Sequence, residues 1–216
     1  LWMVTLANKQ PVLVDRSDVG QIPLGKWSAD SKWIAYNKPQ RNGNVGISLY
    51  SVEQKKSFHI TEGRFSDKEP TFDQNGKFLY FVSDRTFSPS IIGPEIGFNF
   101  QNTARLYAFT LQKETPSPFT PESDEEKAKE EPAKAPAPAP PAPAGMKIDL
   151  DGIAERIITL PAPPANYNNL NAGSGKLLFM NEGTLSQFEI ASKQVTPLLS
   201  GIQGYDINAT ASKIIY

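Results

Sequence analysis

The chain has no cysteine and only one histidine, His59, among its 216 residues. Without cysteine there can be no disulfide bond, thiolate metal site or cysteine nucleophile. A zinc site is disfavoured by a single histidine, and a Ser-His-Asp triad would depend on His59, which falls inside a predicted outer strand. No nucleophile elbow or phosphate-binding loop occurs. We therefore assign no catalytic residue, no metal ligand and no cofactor to this chain.

Strong net charge and long apolar runs are also absent. The 22 basic and 23 acidic residues give a net charge of −1, which offers no electrostatic case for nucleic acid or a membrane surface. No apolar run reaches the roughly 18–20 residues of a membrane helix, so no membrane span is expected. Both ends, at Leu1 and Tyr216, read as strands cut from a longer polypeptide, and the compartment, cytoplasmic or periplasmic, stays open.

A short pattern recurs along the chain: a brief strand, a polar turn that ends in lysine, and an apolar strand. Lys32 and Lys77 are 45 residues apart, and Lys176 and Lys213 are 37 apart, which is the spacing of four-stranded propeller blades. The sequence therefore predicts an all-β fold, a partial β-propeller of four-stranded antiparallel blades. The four copies are Trp27–Tyr36, Phe72–Phe81, Ala172–Phe179 and Asp206–Tyr216.

Two insertions explain the long gap of 99 residues between Lys77 and Lys176. A loop at 86–103 is rich in Ser, Pro, Gly and Asn, and a low-complexity stretch follows at 114–145. The latter is rich in Pro and Ala, so we expect it to be a disordered, solvated spacer. We thus predict propeller blades in 1–113, the insertion in 114–145, and further blades in 146–216.

The first strand of each blade is expected to line a central channel, as in other propellers. These inner strands are predicted near Ile22–Ser28, Glu69–Phe72, Tyr167–Asn171 and Gly204–Asn208. Aromatic residues recur at matching repeat positions, which favours packing between blades over ligand contacts. They are Trp27, Trp33, Phe72, Phe78, Tyr80 and Phe81.

Three local features favour structural roles over functional ones. Asp84 and Arg85, after an apolar strand, predict an ion pair or a turn bond at a blade end. The run Asp149–Gly152 resembles a calcium loop faintly, but it lacks further oxygen ligands, and a hairpin turn is favoured. Within Ile153–Ile158, β-branched residues favour a strand over a short helix.

Several runs resemble the propeller of tricorn-type serine peptidases. They are Asp67–Pro89, Thr115–Phe119, Lys147–Ile153 and Arg156–Pro161. The resemblance implies two propellers followed by a helical domain, a PDZ domain and a peptidase domain, and this chain matches the later propeller. It also implies a non-catalytic segment that guides or filters peptides for a protease domain absent from this chain. The implied partners are peptides, and the missing blades and catalytic domains of the same polypeptide.

Two other interpretations remain open from the sequence. One is a stand-alone Tol-type binding or scaffold propeller with no enzymatic role, because the hairpin repeat occurs there too. The other is the lid propeller of a prolyl-oligopeptidase-like enzyme. The flanking sequence separates them, since a PDZ and serine-peptidase region, a stop codon or an α/β-hydrolase serine elbow would follow in the three cases.

Overall fold

The computed structural model describes residues 1–86, 90–92, 97–99, 102–119, 145–208 and 211–216. Most of the Pro/Ala-rich insertion and much of the loop at 86–103 therefore lie outside the described residues. In chain order the strands are β1 (Trp2–Val4), β2 (Pro11–Leu13), β3 (Lys26–Trp27), β4 (Trp33–Pro39), β5 (Val45–Ser51), β6 (Lys56–His59), β7 (Asp67–Phe72), β8 (Phe78–Ser83), β9 (Ser90–Ile92), β10 (Gly97–Asn99), β11 (Arg105–Thr110), β12 (Ile157–Thr159), β13 (Asn168–Ala172), β14 (Lys176–Asn181), β15 (Thr184–Glu189), β16 (Gln194–Ser200), β17 (Asp206–Ile207) and β18 (Ile214–Ile215).

Three four-stranded antiparallel sheets form the body of the molecule. Their strand orders are β3-β4-β5-β6, β7-β8-β11-β12 and β13-β14-β15-β16, and we call them the first, second and third blades. Two-stranded sheets β1-β2 and β17-β18 flank the three blades in the sequence, and β9 pairs with β10. The all-β fold of four-stranded antiparallel blades is confirmed. In the second blade the chain between β11 and β12 carries the long insertion, as the spacing of the lysines predicted.

The repeated hairpin turns occupy the same place in the three blades, between the first and second strands. The residue before the turn lysine has a positive φ each time: 59° at Ser31, 68° at Gly76 and 71° at Gly175. Glycine adopts this conformation without steric cost, whereas Ser31 depends on local support. The Asp30 carboxylate provides it by accepting a hydrogen bond from the Lys32 N–H at 3.1 Å.

The hydrophobic core lies between neighbouring blades. Strand β8 is buried along its whole length because the first and third blades cover its two faces. Phe81 stacks on Phe109 with ring centroids 4.6 Å apart, and Tyr167 meets the ring edge of Phe179 at 4.8 Å. Apart from Trp27, the aromatic residues at matching repeat positions are buried, which agrees with their predicted packing role.

The segment before β12 differs from the sequence prediction. Gly152 has a φ of 66° and leads into a 3-10 helix, Ile153–Glu155, rather than closing a hairpin. The β-branched residues that follow form β12, so the favoured strand is present but shorter. No helix among the described residues is long and apolar enough to cross a membrane.

Candidate functional site

The first strands of consecutive repeats meet around a cavity of about 550 Å³. Strands β3, β7, β13 and β17, together with residues of the turns that follow them, supply its wall. This is the set of inner strands that the repeat pattern placed around a channel. The side chains that line it include Lys26, Trp27, Thr71, Gln74, Asn171 and Asp206.

Two of these strands bend at the same position. The pairing of β7 with β8 shifts register between Lys68 and Thr71, and that of β13 with β14 shifts between Asn168 and Asn171. Glu69 and Asn169 lie inside these bulges with φ values of 55° and 51°. A bulge takes an extra residue out of the ladder and re-aims side chains.

Neighbouring repeats hold the second bulge in place. Asn169 Nδ2 donates a hydrogen bond to the Tyr205 carbonyl, and the Tyr205 hydroxyl donates one to the Asn169 carbonyl, both at 2.7 Å. Burial of the hydroxyl raises the pKa of Tyr205, so it stays a neutral donor at physiological pH. The bulge is therefore fixed to the β17-β18 repeat by a reciprocal pair of hydrogen bonds.

Lys26 carries the positive charge of the cavity. Its Nζ donates to the Leu170 carbonyl and, at 2.9 Å, to Oδ1 of Asn171. Burial lowers the pKa of the Lys26 ammonium, and the negative charges of Glu69 and Asp206 oppose that shift. The wall thus combines one partly buried cation with the carboxylates of Asp73 and Asp206 and several neutral oxygens, and Glu69 adds its charge without lining the cavity.

The position of Trp27 differs from the sequence prediction that it packs between blades. It shares a repeat position with buried aromatic residues, yet it is 50% exposed and faces the cavity. Strand β3 is only two residues long. The ring of Trp27 therefore lines the cavity and is not buried between blades.

Asp73 lies at the turn end of the same cavity and is buried. Burial raises the pKa of its carboxyl above the usual range, and the Lys77 backbone N–H only partly offsets this. The backbone carbonyl of Asp73 accepts a hydrogen bond from the Gly76 N–H at 3.1 Å. Asp73 therefore belongs to the turn and has the contacts of a structural residue.

His59 lies on the outer strand β6, far from this arrangement of inner strands. Its side chain is exposed, and Nδ1 is 3.0 Å from Oγ of Ser48 on the paired strand β5. Ser48 is 1% exposed, so its hydroxyl is closed to a substrate. Within the described ranges, no group of three or more His, Asp or Glu side chains could hold a metal ion.

The ion pair of Arg85 is formed with a different partner from the one the sequence suggested. Arg85 Nη2 lies 2.7 Å from Oδ1 of Asp67, and its guanidinium stacks over the Phe81 and Tyr107 rings. Asp84 instead accepts a hydrogen bond from the Ser66 N–H at 2.9 Å. The hydrogen bond of Asp84 thus reaches a residue 18 positions away rather than closing a local turn, and the ion pair joins the two ends of the β7-β8 hairpin.

The two carboxylates of the faint calcium motif are held by lysines. Asp149 Oδ2 accepts a hydrogen bond from the Lys113 N–H at 3.1 Å, and Lys113 Nζ lies 3.0 Å from Asp151. Lys147 Nζ approaches Asp149 at 3.6 Å. Both carboxylates thus have partners within the chain, so the segment has the contacts of a structural loop.

The sequence analysis missed Lys26 and Asn171. Lys26 reads as an ordinary polar residue before a strand, and Asn171 as one asparagine of several in a short run. Both residues lie in predicted inner strands, and a charged or polar side chain in such a strand is a candidate to line the central cavity. Their mutual contact, across 145 positions of sequence, has no local signature.

Comparison with known proteins gives a consistent picture. All of residues 1–216 match the family described as the tricorn protease second beta propeller domain. Tricorn protease homolog 1 of Streptomyces coelicolor is 34% identical over 167 residues, covering 77% of this chain and 16% of that protein. The crystal structure of the tricorn protease superposes with a TM-score of 0.78 at 22% identity, over 99% of this chain and 22% of that one. The structure of TolB from Acinetobacter baumannii superposes with a TM-score of 0.59 at 13% identity, over 99% of this chain and 41% of that one.

Proposed function

Because this chain belongs to the family of tricorn protease second β-propeller domains, we propose that it guides or filters peptides for a protease domain of the same polypeptide. It does so as a non-catalytic segment, and the parent protein is a serine peptidase. The chain spans less than a quarter of the length of tricorn homolog 1 and of the crystallised tricorn protease. In this proposal the proteolytic chemistry belongs to the rest of such a polypeptide. The likeness to TolB, at 13% identity, concerns the fold alone.

The observation that carries the proposal is the cavity formed by inner strands of consecutive blades. A space of about 550 Å³ admits an extended peptide of a few residues but excludes a folded domain. Its wall mixes an exposed indole, carboxamides, a hydroxyl and charges of both signs. Such a wall offers weak, varied contacts, which suit a passage that peptides must leave as well as enter.

The test narrows the channel in the full-length parent protease. Ala29 is exposed and lines the cavity, and the Ala29→Trp substitution adds a large ring to the wall. Ala191→Trp, in the exposed turn between β15 and β16, is the matched control. We expect Ala29→Trp to lower kcat/KM for long peptides more than for dipeptide-sized substrates, while Ala191→Trp changes neither. An equal effect at every peptide length would make the propeller a scaffold rather than a gate.

A further inference from the structure

The side chain of Lys26 reaches across the inner ends of three blades. Lys26 is in β3 of the first blade, and both of its acceptors, the Leu170 carbonyl and the Asn171 side chain, are in β13 of the third blade. Strand β7 of the second blade packs between them, in contact with β3 and β4 on one side and β13 on the other. The lysine therefore connects the first blade to the third instead of binding within its own blade.

Two neutral oxygens contact this ammonium group, and two carboxylates act on its charge from farther away. Leu170 lies in the β13 bulge, outside the regular pairing with β14, and its carbonyl oxygen faces Nζ. Asn171 Oδ1 supplies a second neutral oxygen, and the carboxylates of Glu69 and Asp206 act on the same charge. Of the ion pairs formed by the described residues, none includes Lys26. Both carboxylates therefore favour a positive charge at this position from a distance, whichever ammonium group carries it.

We propose that these four groups form an ammonium-binding site in the channel, which the Lys26 side chain fills until a primary ammonium group of a passing peptide replaces it. The ligand chemistry is a primary ammonium, from a peptide N-terminus or from a lysine side chain. An ammonium carries three donors, and the set offers two neutral oxygens and two negative charges. The half-exposed indole of Trp27, in the same cavity, provides apolar and π surface beside it. The inference rests on the proposed function only in taking a peptide as the ligand.

Replacement by exchange has a physical basis. Burial disfavours the charged form of Lys26 at this position, and the acceptors around its ammonium group offset that cost. A peptide ammonium that enters the site releases Lys26 to water, so the net charge of the wall barely changes. The exchange is close to balanced, which keeps binding weak enough for a peptide to move on.

The first experiment empties the site and refills it. Lys26→Ala removes the propylammonium part of the side chain, and n-propylammonium chloride is the probe. A ligand that binds only the folded chain raises its melting temperature. We expect a rise of about 2–4 °C for Lys26→Ala. The rise should be absent with potassium chloride or 1-propanol and in the control Lys68→Ala, whose lysine is exposed on β7. Equal shifts in both variants would overturn the inference.

The second experiment does not depend on the folding of Lys26→Ala. Fluorescently labelled peptides are titrated into the unmodified chain in three forms: free N-terminus, acetylated N-terminus, and acetylated with one lysine. We expect about tenfold weaker binding when the peptide has no primary ammonium. The lysine form shows which source the site accepts. Asp206→Asn, at an exposed position, should remove most of this difference, and equal Kd values for all three peptides would overturn the inference.

The two proposals fail separately. Gating by peptide length, tested with Ala29→Trp, needs no ammonium group on the peptide. If length matters but acetylation does not, the ammonium site is wrong and the gate stands. If acetylation matters but length does not, the site binds peptides without controlling their passage.

Discussion

The side-chain oxygen of Asn37 accepts a hydrogen bond from the backbone N–H of Glu69 at 3.1 Å, across the boundary between the first and second blades. The Nδ2 atom of Asn37 donates to the Asp67 carbonyl at 2.9 Å. One carboxamide thus binds both sides of the β7 bulge, where Glu69 holds a φ of 55°. Thr71, which follows the bulge in β7, lines the cavity, and the Glu69 charge acts on Lys26, so this contact connects packing between blades with the cavity wall.

Removing this clamp is expected to destabilise the chain. Asn37→Ala leaves the Glu69 N–H and the Asp67 carbonyl without that partner, which should lower the free energy of unfolding by about 1–3 kcal/mol. Asn168→Ala is the control, because Asn168 is exposed and its side chain donates only to the nearby Asn166 carbonyl. Urea denaturation measures both. A decrease of less than about 0.5 kcal/mol in the free energy of unfolding of Asn37→Ala would show that the bulge does not depend on this side chain.

Removing one partner of the buried ion pair between Asp67 and Arg85 should destabilise the chain far more than replacing both partners with neutral residues. Asp67 is 1% exposed, so Arg85→Met leaves a buried, uncompensated carboxylate, with an expected cost of about 3–5 kcal/mol. The double variant Asp67→Asn with Arg85→Met should recover much of that loss in a double-mutant cycle. Arg64→Met, in a pair whose two side chains are each 80% exposed, should cost less than about 1 kcal/mol. Additive effects of the two buried substitutions would contradict the pairing.

The lowered pKa of Asp15 makes the free energy of unfolding depend on pH. Burial raises the pKa of Asp15, but hydrogen bonds from Lys38 and Tyr36 outweigh it and hold the pKa below 3.8. A carboxyl whose pKa is lower in the folded chain than in the unfolded chain stabilises the fold fully at pH values above its pKa in the unfolded chain. This stabilisation is lost as the pH falls to its pKa in the folded chain.

The matching measurement compares Asp15→Asn with the unmodified chain by urea denaturation from pH 7 down to pH 3. We expect a loss of about 1 kcal/mol at pH 7, because water screens part of this contact. The difference should shrink only below about pH 4. Asp18→Asn is the control, since Asp18 pairs with Arg41 at the exposed surface. A difference that persists unchanged at pH 3 would show that the charge of Asp15 is not the cause.

The low-complexity insertion is expected to contribute little to stability. Replacing Glu122–Ala144 with a short Gly/Ser link should change the free energy of unfolding by less than about 1 kcal/mol, because loop closure costs only about 0.6 kcal/mol per doubling of length. Phe119→Ala is the contrasting variant. Its partly buried ring lies 6.3 Å from that of Phe188, and its loss should cost about 1–2 kcal/mol. A loss of several kcal/mol on shortening the insertion would show that it packs on the blades.

Much of the fold was readable from the sequence because its signals are local. Gly76 and Gly175 supply the positive φ that a tight hairpin needs, and lysine follows each of them. The second strands are apolar on both faces because blades cover both sides, so runs such as Phe78–Val82 identify them without any structure. A repeat of such hairpins at blade spacing then specifies stacked four-stranded sheets.

Other features were decided only by the tertiary structure. Trp27 and Phe72 share a repeat position and both border the cavity, yet Trp27 is 50% exposed and Phe72 is buried, because burial depends on which neighbour packs against each ring. Arg85 had an acidic neighbour in Asp84, but the folded hairpin brings Asp67 to it instead. Lys26 and Asn171 meet only because three blades converge at their inner strands. The sequence by itself determined the repeated hairpin turns and the order of the blade strands, because backbone conformation and hydrophobic pattern act over a few residues. The tertiary structure decided which charges face one another across the channel, because that depends on how whole blades pack.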